Sequence, residues 1–168
     1  MLFEPIFRAL DASGARYVVV GGVAVLLHGH VRATADLDIA IDLAPESAAR
    51  VVSALVELGL RPRVPVEPSD LADPAIRRTW IEERGMHVFS MVDPGDPFNS
   101  VDIFVEEPIG FEELFERSVS IDVGGLAVRV AAIPDLIHLK RLAGRSQDAA
   151  DIEALTAIAD RRAEDEDA

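Results

Sequence analysis

Three aspartates carry the chemistry this sequence is equipped to perform. Asp36 and Asp38 stand two apart in Asp-Leu-Asp, and Asp102 stands in a separate apolar run, Val-Asp-Ile-Phe-Val. On an extended strand, residues i and i+2 project to the same face, with Cα atoms about 7 Å apart. Both carboxylates of the pair can therefore reach one cation, and a neighbouring strand can supply the third. Hard oxygen ligands of this kind suit Mg²⁺ or Mn²⁺. Without a cation, the three acids would repel each other and raise one another's pKa values. Carboxylate-held divalent ions serve phosphoryl and nucleotidyl transfer.

Gly21-Gly22 has the complementary role. A glycine pair between a strand and a helix lets phosphate approach the backbone closely. The helix expected over Val23–His28 would turn free N–H groups toward it. One wall would then hold phosphate directly and the other through metal. Arg32 could contact phosphate or form a surface ion pair, and Thr34 could donate its hydroxyl. Neither Asp-x-Asp nor Gly-Gly is specific alone: thirty acids in 168 residues make acid-x-acid pairs common. The conjunction of strand, Gly-Gly, short helix, Arg32, Thr34 and Asp-x-Asp on an amphipathic strand points to a phosphate site.

These residues need elements to hold them. Leu2, Phe3, Ile6, Phe7 and Leu10 have helical spacing. Tyr17–Val20 is a β-branched strand run. Leu37, Ile39, Ile41 and Leu43 alternate with Asp36, Asp38, Ala40 and Asp42, giving a strand with one apolar and one acidic face. A helix is expected over residues 46–58 with Gly59 as its stop, a loop over the proline-rich 61–74, and a short helix from Pro74 to Glu83. Strands follow at 86–92 and 101–105, a turn at 93–97, a helix at 111–116, and a hairpin about Gly124-Gly125. Two last helices span 134–143 and 146 to about 161, with Pro134 at a first position and Ser146 as a cap. The fold class expected is α/β (α+β): a mixed sheet packed with helices, plus a C-terminal helical pair. Residues 1–163 are read as one domain and 164–168 as a solvated acidic tail.

Composition sets outer bounds. Hydrophobic residues make up 49% of the chain, enough for a core, and there is no cysteine, which excludes disulfides and thiol nucleophiles. The net charge of −14 disfavours an extensive nucleic-acid interface. The longest apolar run, Tyr17–Leu27, is too short to span a bilayer, and a cytoplasmic location is expected. Fifteen arginines accompany a single lysine, Lys140. Lys140 reads either as a point charge on nucleotide phosphates or as the ion-pair partner of Asp148 or Asp151. Those two acids lie at i, i+3 on one helix face and read as partners of Lys140, Arg141 or Arg145. His28 and His30 read as cap or packing residues, and Trp80 as core. The spacing around Gly21 lacks the G-x-G-x-x-G of a dinucleotide-binding turn.

Three blocks now stand out: VVVGGVAVLLHGHVRATADLDIAID (18–42), VDIFV (101–105) and IPDLIHLKRLAGRSQDAADIEAL (133–155). In order and approximate spacing they resemble the nucleotidyltransferase superfamily of DNA polymerase β-type fold, and more narrowly its small AbiEii toxin-like group. They cover about a third of the chain. The resemblance implies that Gly21 and Gly22 hold a triphosphate and that Asp36 and Asp38 bind metal. It implies that Asp102 ligates metal or takes the acceptor's proton, and it matches Lys140, Asp148 and Asp151 to a C-terminal lysine-and-aspartate block. Many superfamily members have Gly-Ser at the turn, where Gly22 offers no hydroxyl. The expectation is a Mg²⁺-dependent (or Mn²⁺-dependent) nucleotidyltransferase that takes an NTP such as ATP. Its acceptor is an unidentified hydroxyl on an RNA end, a protein or a small molecule, and the enzyme could be the toxin of a toxin–antitoxin pair with an antitoxin protein as partner. The rival is a catalytically silent nucleotide-binding or protein-interaction module of the same fold.

Overall fold

The alternating pattern at 36–43 builds the centre of the molecule. In the computed structural model, which describes residues 3–166, strand β2 (Asp36–Ile41) buries Leu37, Ile39 and Ile41 on one face. Each such side chain contributes about 2 kcal/mol by leaving water. Its other face carries Asp36, Asp38 and the buried Ala40. Strand β1 (Tyr17–Val19) pairs antiparallel with β2 on one side. On the other side β5 (Asp96–Phe104) pairs with it in parallel.

The rest of the sheet grows outward from these three. Strand β4 (Val88–Asp93) pairs antiparallel with β5, and β3 (Arg61–Pro62) closes that edge. At the opposite edge the hairpin β6 (Val119–Val123) and β7 (Leu126–Val130) joins β1 through a parallel β1–β7 contact. The order is β3-β4-β5-β2-β1-β7-β6, a mixed sheet of the expected class.

Helices cover the sheet. Helix α1 (Glu4–Ala12) packs against α3 (Pro45–Glu57), burying Ile6, Phe7 and Leu10; Leu2, also expected in this helix, lies outside the described residues. Helix α2 (Gly21–Leu27) leans on β2, α4 (Pro74–Arg84) follows a 3-10 turn, and α5 (Phe111–Arg117) lies near β1. Helices α6 (Ile133–Ala143) and α7 (Ser146–Glu166) form the C-terminal pair, bent at Gly144.

The larger differences from the sequence reading are four; β4 also starts at Val88 where 86 was expected. Helix α2 starts at Gly21, not Val23, so the glycines form its first turn. The proline-rich stretch expected as loop contains β3 and the 3-10 turn Pro68–Ala72; Glu67 and Asp70 bond reciprocally to each other's backbone there and offset the propensity for loop. Strand β5 starts at Asp96, because the turn tightens to Pro94-Gly95. Helix α7 continues past Arg161 into the acidic segment. Its own Leu155 and Ile158 are buried, and Arg162 anchors its last turns by donating to the carbonyl of His28 at 3.2 Å. Residues 167 and 168 of the expected tail lie outside the described residues. Among the described residues no helix is long and apolar enough to cross a membrane.

Candidate active site

The parallel register of β2 and β5 decides which acids meet. Asp38 pairs with Asp102 and Asp36 with Ser100. In-register residues of adjacent strands share a face, so Asp38 and Asp102 stand side by side. Asp36 shares that face but is held elsewhere: Ser100 Oγ donates to its Oδ1, and Arg63 lies 3.9 Å from the same oxygen. Among the described residues no three acid, imidazole or thiol groups close into a ready coordination sphere. The pair, not the triad, is what the fold preassembles.

The pair is electrostatically uncomfortable. Burial, then the neighbouring Asp102, pushes Asp38 up to about 6, although a hydrogen bond from the Gly22 N–H opposes the shift. Asp102 Oδ1 is buried without a hydrogen-bond partner among the described residues. A buried carboxylate oxygen left bare is costly, and two adjacent acids with one bare oxygen are what a divalent cation would relieve. Asp38 and Asp102 thus fit such a group, with Asp36 one step along the strand.

The glycines lock against these acids. A Cβ on Gly21 would stand 2.0 Å from Asp38 Oδ2, and one on Gly22 would stand 2.6 Å from Thr34 Oγ1. Gly21 also has φ +62°, the left-handed region. Thr34 donates to the carbonyl of Asp36 at 3.3 Å, which fixes the entry into β2.

The opposite wall comes from the helical pair. Lys140 is buried, with Nζ 2.6 Å from Asp151 Oδ2 and 3.2 Å from Asp148 Oδ1. Arg32 binds the same Asp151 oxygen, and Arg145 binds Asp148 through Nε at 3.1 Å. Burial raises Asp148, but Arg145 and Lys140 more than offset this and hold it below the usual carboxylate range. The ion-pair readings of Lys140 and Arg32 therefore have partners in place, while Arg32 still borders Gly22. A hollow of about 260 Å³ has Gly21, Asp38, Asp102, Lys140 and Arg145 in its walls. Acids on the sheet share its walls with Lys140 of α6 and Arg145 of the α6–α7 connection.

A model of the family described as nucleotidyltransferases of unknown function (DUF6036) matches residues 6–161. The chain belongs to that family. No curated protein matches it. The DUF6036 chain has the fold of several solved structures. One is the lincosamide antibiotic adenylyltransferase LnuA with lincomycin bound: TM-score 0.62 at 15% identity, covering 94% of this chain and 96% of that one. Another is ANT(2″)-Ia in complex with adenylyl-2″-tobramycin: TM-score 0.60 at 14% identity, covering 93% and 86%. A third is TM1012 of Thermotoga maritima: TM-score 0.57 at 16% identity, covering 90% and 88%.

In this DUF6036 member two side chains near the acids escaped the sequence reading. Ser100, which holds Asp36, fell outside a strand expected to start at Val101. Arg145 read only as a partner for nearby acids, yet it also lines the hollow, where it lowers Asp38. Its signal was its place directly after the helix stop Gly144. His28 packs as expected, its Nε2 2.8 Å from the Ala131 carbonyl, and Trp80 is core, stacked on Phe89 at 5.3 Å.

Proposed function

We propose that this protein moves an NMP from an NTP to an alcohol, with the reaction at Asp38 and Asp102. The observation that carries the reading is the registered acid pair facing Lys140 and Arg145 across one hollow. A Mg²⁺ or Mn²⁺ ion held by Asp38 and Asp102, with Asp36 beside them, would supply charge neutralisation for the phosphates. Lys140 and Arg145 offer positive charge to the departing pyrophosphate, and the first turn of α2 at Gly21-Gly22 would lie against the phosphates. Arg32 and Thr34 border that turn and position it. The acceptor oxygen bonds to the α-phosphorus, the bond from that phosphorus to the bridging oxygen breaks, and pyrophosphate leaves with the electron pair. The hydroxyl proton passes to a carboxylate, a role this reading gives to Asp102.

The blocks that resemble AbiEii toxin-like proteins make a toxin with an antitoxin partner one form of this reading. The adenylyltransferase fold relatives make a small-molecule acceptor another. Pyrophosphate release tests the core claim: each labelled NTP is incubated with Mg²⁺ and a cell extract. Release that Asp38→Ala abolishes in a folded protein is expected. No release and no metal-dependent nucleotide binding would instead indicate a silent module of the same fold.

A further inference from the structure

The hollow at the acid pair has a neighbour. Val88, Phe104, Leu139 and Ala143 wall both it and a second hollow of about 340 Å³ that opens outward between β4, β5 and α6. Small-molecule sites begin at about 300 Å³ and are mostly apolar with few polar groups. The outer hollow has this character. Leu142 on its wall is 60% exposed, an apolar side chain that nothing in the described chain covers. On its wall Glu106 Oε1 is hydrogen-bonded to His87 Nδ1.

The charges of the two hollows differ. Lys140 and Arg145 belong to the inner one alone, and neither arginine nor lysine lines the outer one. A nucleic-acid strand threaded toward Asp102 needs cations along its phosphates. Here it would meet apolar walls and then Glu106, on a chain of net charge −14. A cation is the complementary charge for Glu106, the one acid in the outer lining, whose Oε1 is hydrogen-bonded to His87.

We infer that the outer hollow is the acceptor subsite and that it takes a small alcohol with an apolar body and a cationic end. The hydroxyl lies toward Asp102, the body along Phe104, Leu139 and Leu142, and the cation at Glu106. This rests on the nucleotidyl-transfer reading for the fate of the hydroxyl, but not for binding.

Binding is therefore tested without NTP. The ¹⁵N-labelled full chain is titrated with aminohexanol, hexanol and hydroxyhexanoate, which share a body and differ in charge. Amide shifts are expected at Val88, Phe104 and Leu142, with aminohexanol about fivefold tighter than hydroxyhexanoate, the ratio that one exposed charge contact produces. Glu106→Gln is expected to bring aminohexanol to the level of hexanol and leave hexanol binding intact. Leu142→Ser, an exposed change that the fold tolerates, is expected to weaken all three. Four outcomes overturn the inference: a preference for the anion, no shift at these amides at tens of millimolar probe, larger shifts from a single-stranded RNA oligonucleotide, or shifts that track protein concentration as a second copy would. Retained pyrophosphate release with failed probe binding would reject the subsite alone. Probe binding without any release would reject the transfer reading alone.

Discussion

The carboxylate of Asp38 fills the space that a side chain on Gly21 would need, with Oδ2 2.0 Å and Cγ 2.5 Å from a Cβ built there. Strand β2 and the first turn of α2 are thereby fitted to each other through one acid and one missing methyl group. The backbone adds to this: the Val20 N–H donates to the Asp38 carbonyl at 2.9 Å, so the two segments cannot easily part.

Gly21→Ala is accordingly expected to displace the Asp38 carboxylate as well as strain a φ of +62°. The backbone cost is about 1 kcal/mol, and the collision adds to it. Gly59→Ala is the control, because Gly59 has φ +104° but open space around it. Thermal melts should show a small loss for Gly59→Ala with transfer retained, and a larger loss for Gly21→Ala with transfer reduced at least about a hundredfold, as for a misplaced reacting group. Equal behaviour of the two variants would mean that Asp38 tolerates the shift.

Asp38 also sets a pH dependence. Its folded pKa of about 6 lies above the ordinary 3.8, so the folded chain holds this proton more tightly than the unfolded one. The penalty is absent at low pH, grows as pH rises through the ordinary value, and is complete above about 6. Asp38→Asn should therefore stabilise the metal-free protein at pH above 7 by about 1–2 kcal/mol, less than the full two-unit shift because Asp38 is not wholly buried. The gain should fade toward pH 4. Urea denaturation across this range checks the slope. A variant less stable than wild type at high pH would contradict the assignment.

Much of this arrangement was legible before any coordinates. The alternation at 36–43 gave β2 and its two faces because burial on one side imposes a period of two. The separate acid of 101–105 could be placed on a neighbouring strand. The register that sets Asp38 opposite Asp102, and Asp36 opposite Ser100, was not legible. It arises from a parallel pairing between strands sixty residues apart, roughly the scale on which local patterning is silent. The Arg32–Asp151–Lys140–Asp148–Arg145 chain was only half legible for the same reason. Spacing along α6 and α7 named Lys140 and its acids, but Arg32 reaches Asp151 from a distant loop.

Cation binding should register as stability. A ligand that binds the folded state alone adds about 1.4 kcal/mol at ten times its dissociation constant. Mg²⁺ or Mn²⁺ should raise the melting temperature of the wild-type chain. Asp38→Asn and Asp102→Asn should each abolish the shift, because the acid pair is the proposed seat. Ser100→Ala should only reduce it by freeing Asp36 from its hydrogen bond. A shift that survives both aspartate changes would place the cation elsewhere.

Lys140 separates structure from chemistry. Removing it as Lys140→Met leaves Asp148 and Asp151 buried, with Arg145 and Arg32 as their remaining partners. Breaking a buried pair from one side costs about 3–5 kcal/mol, so this variant should be severely destabilised. Adding Asp151→Asn removes one stranded charge and should restore part of the loss, giving a coupling energy of about 1–3 kcal/mol in a double-mutant cycle. The restored double variant then answers the chemical question. If Nζ also contacts the nucleotide, its KM for NTP rises several-fold while kcat changes little, as expected for a contact made equally in ground and transition states. An unchanged KM would assign Lys140 wholly to holding α6 against α7, and the phosphate contact on that wall would fall to Arg145.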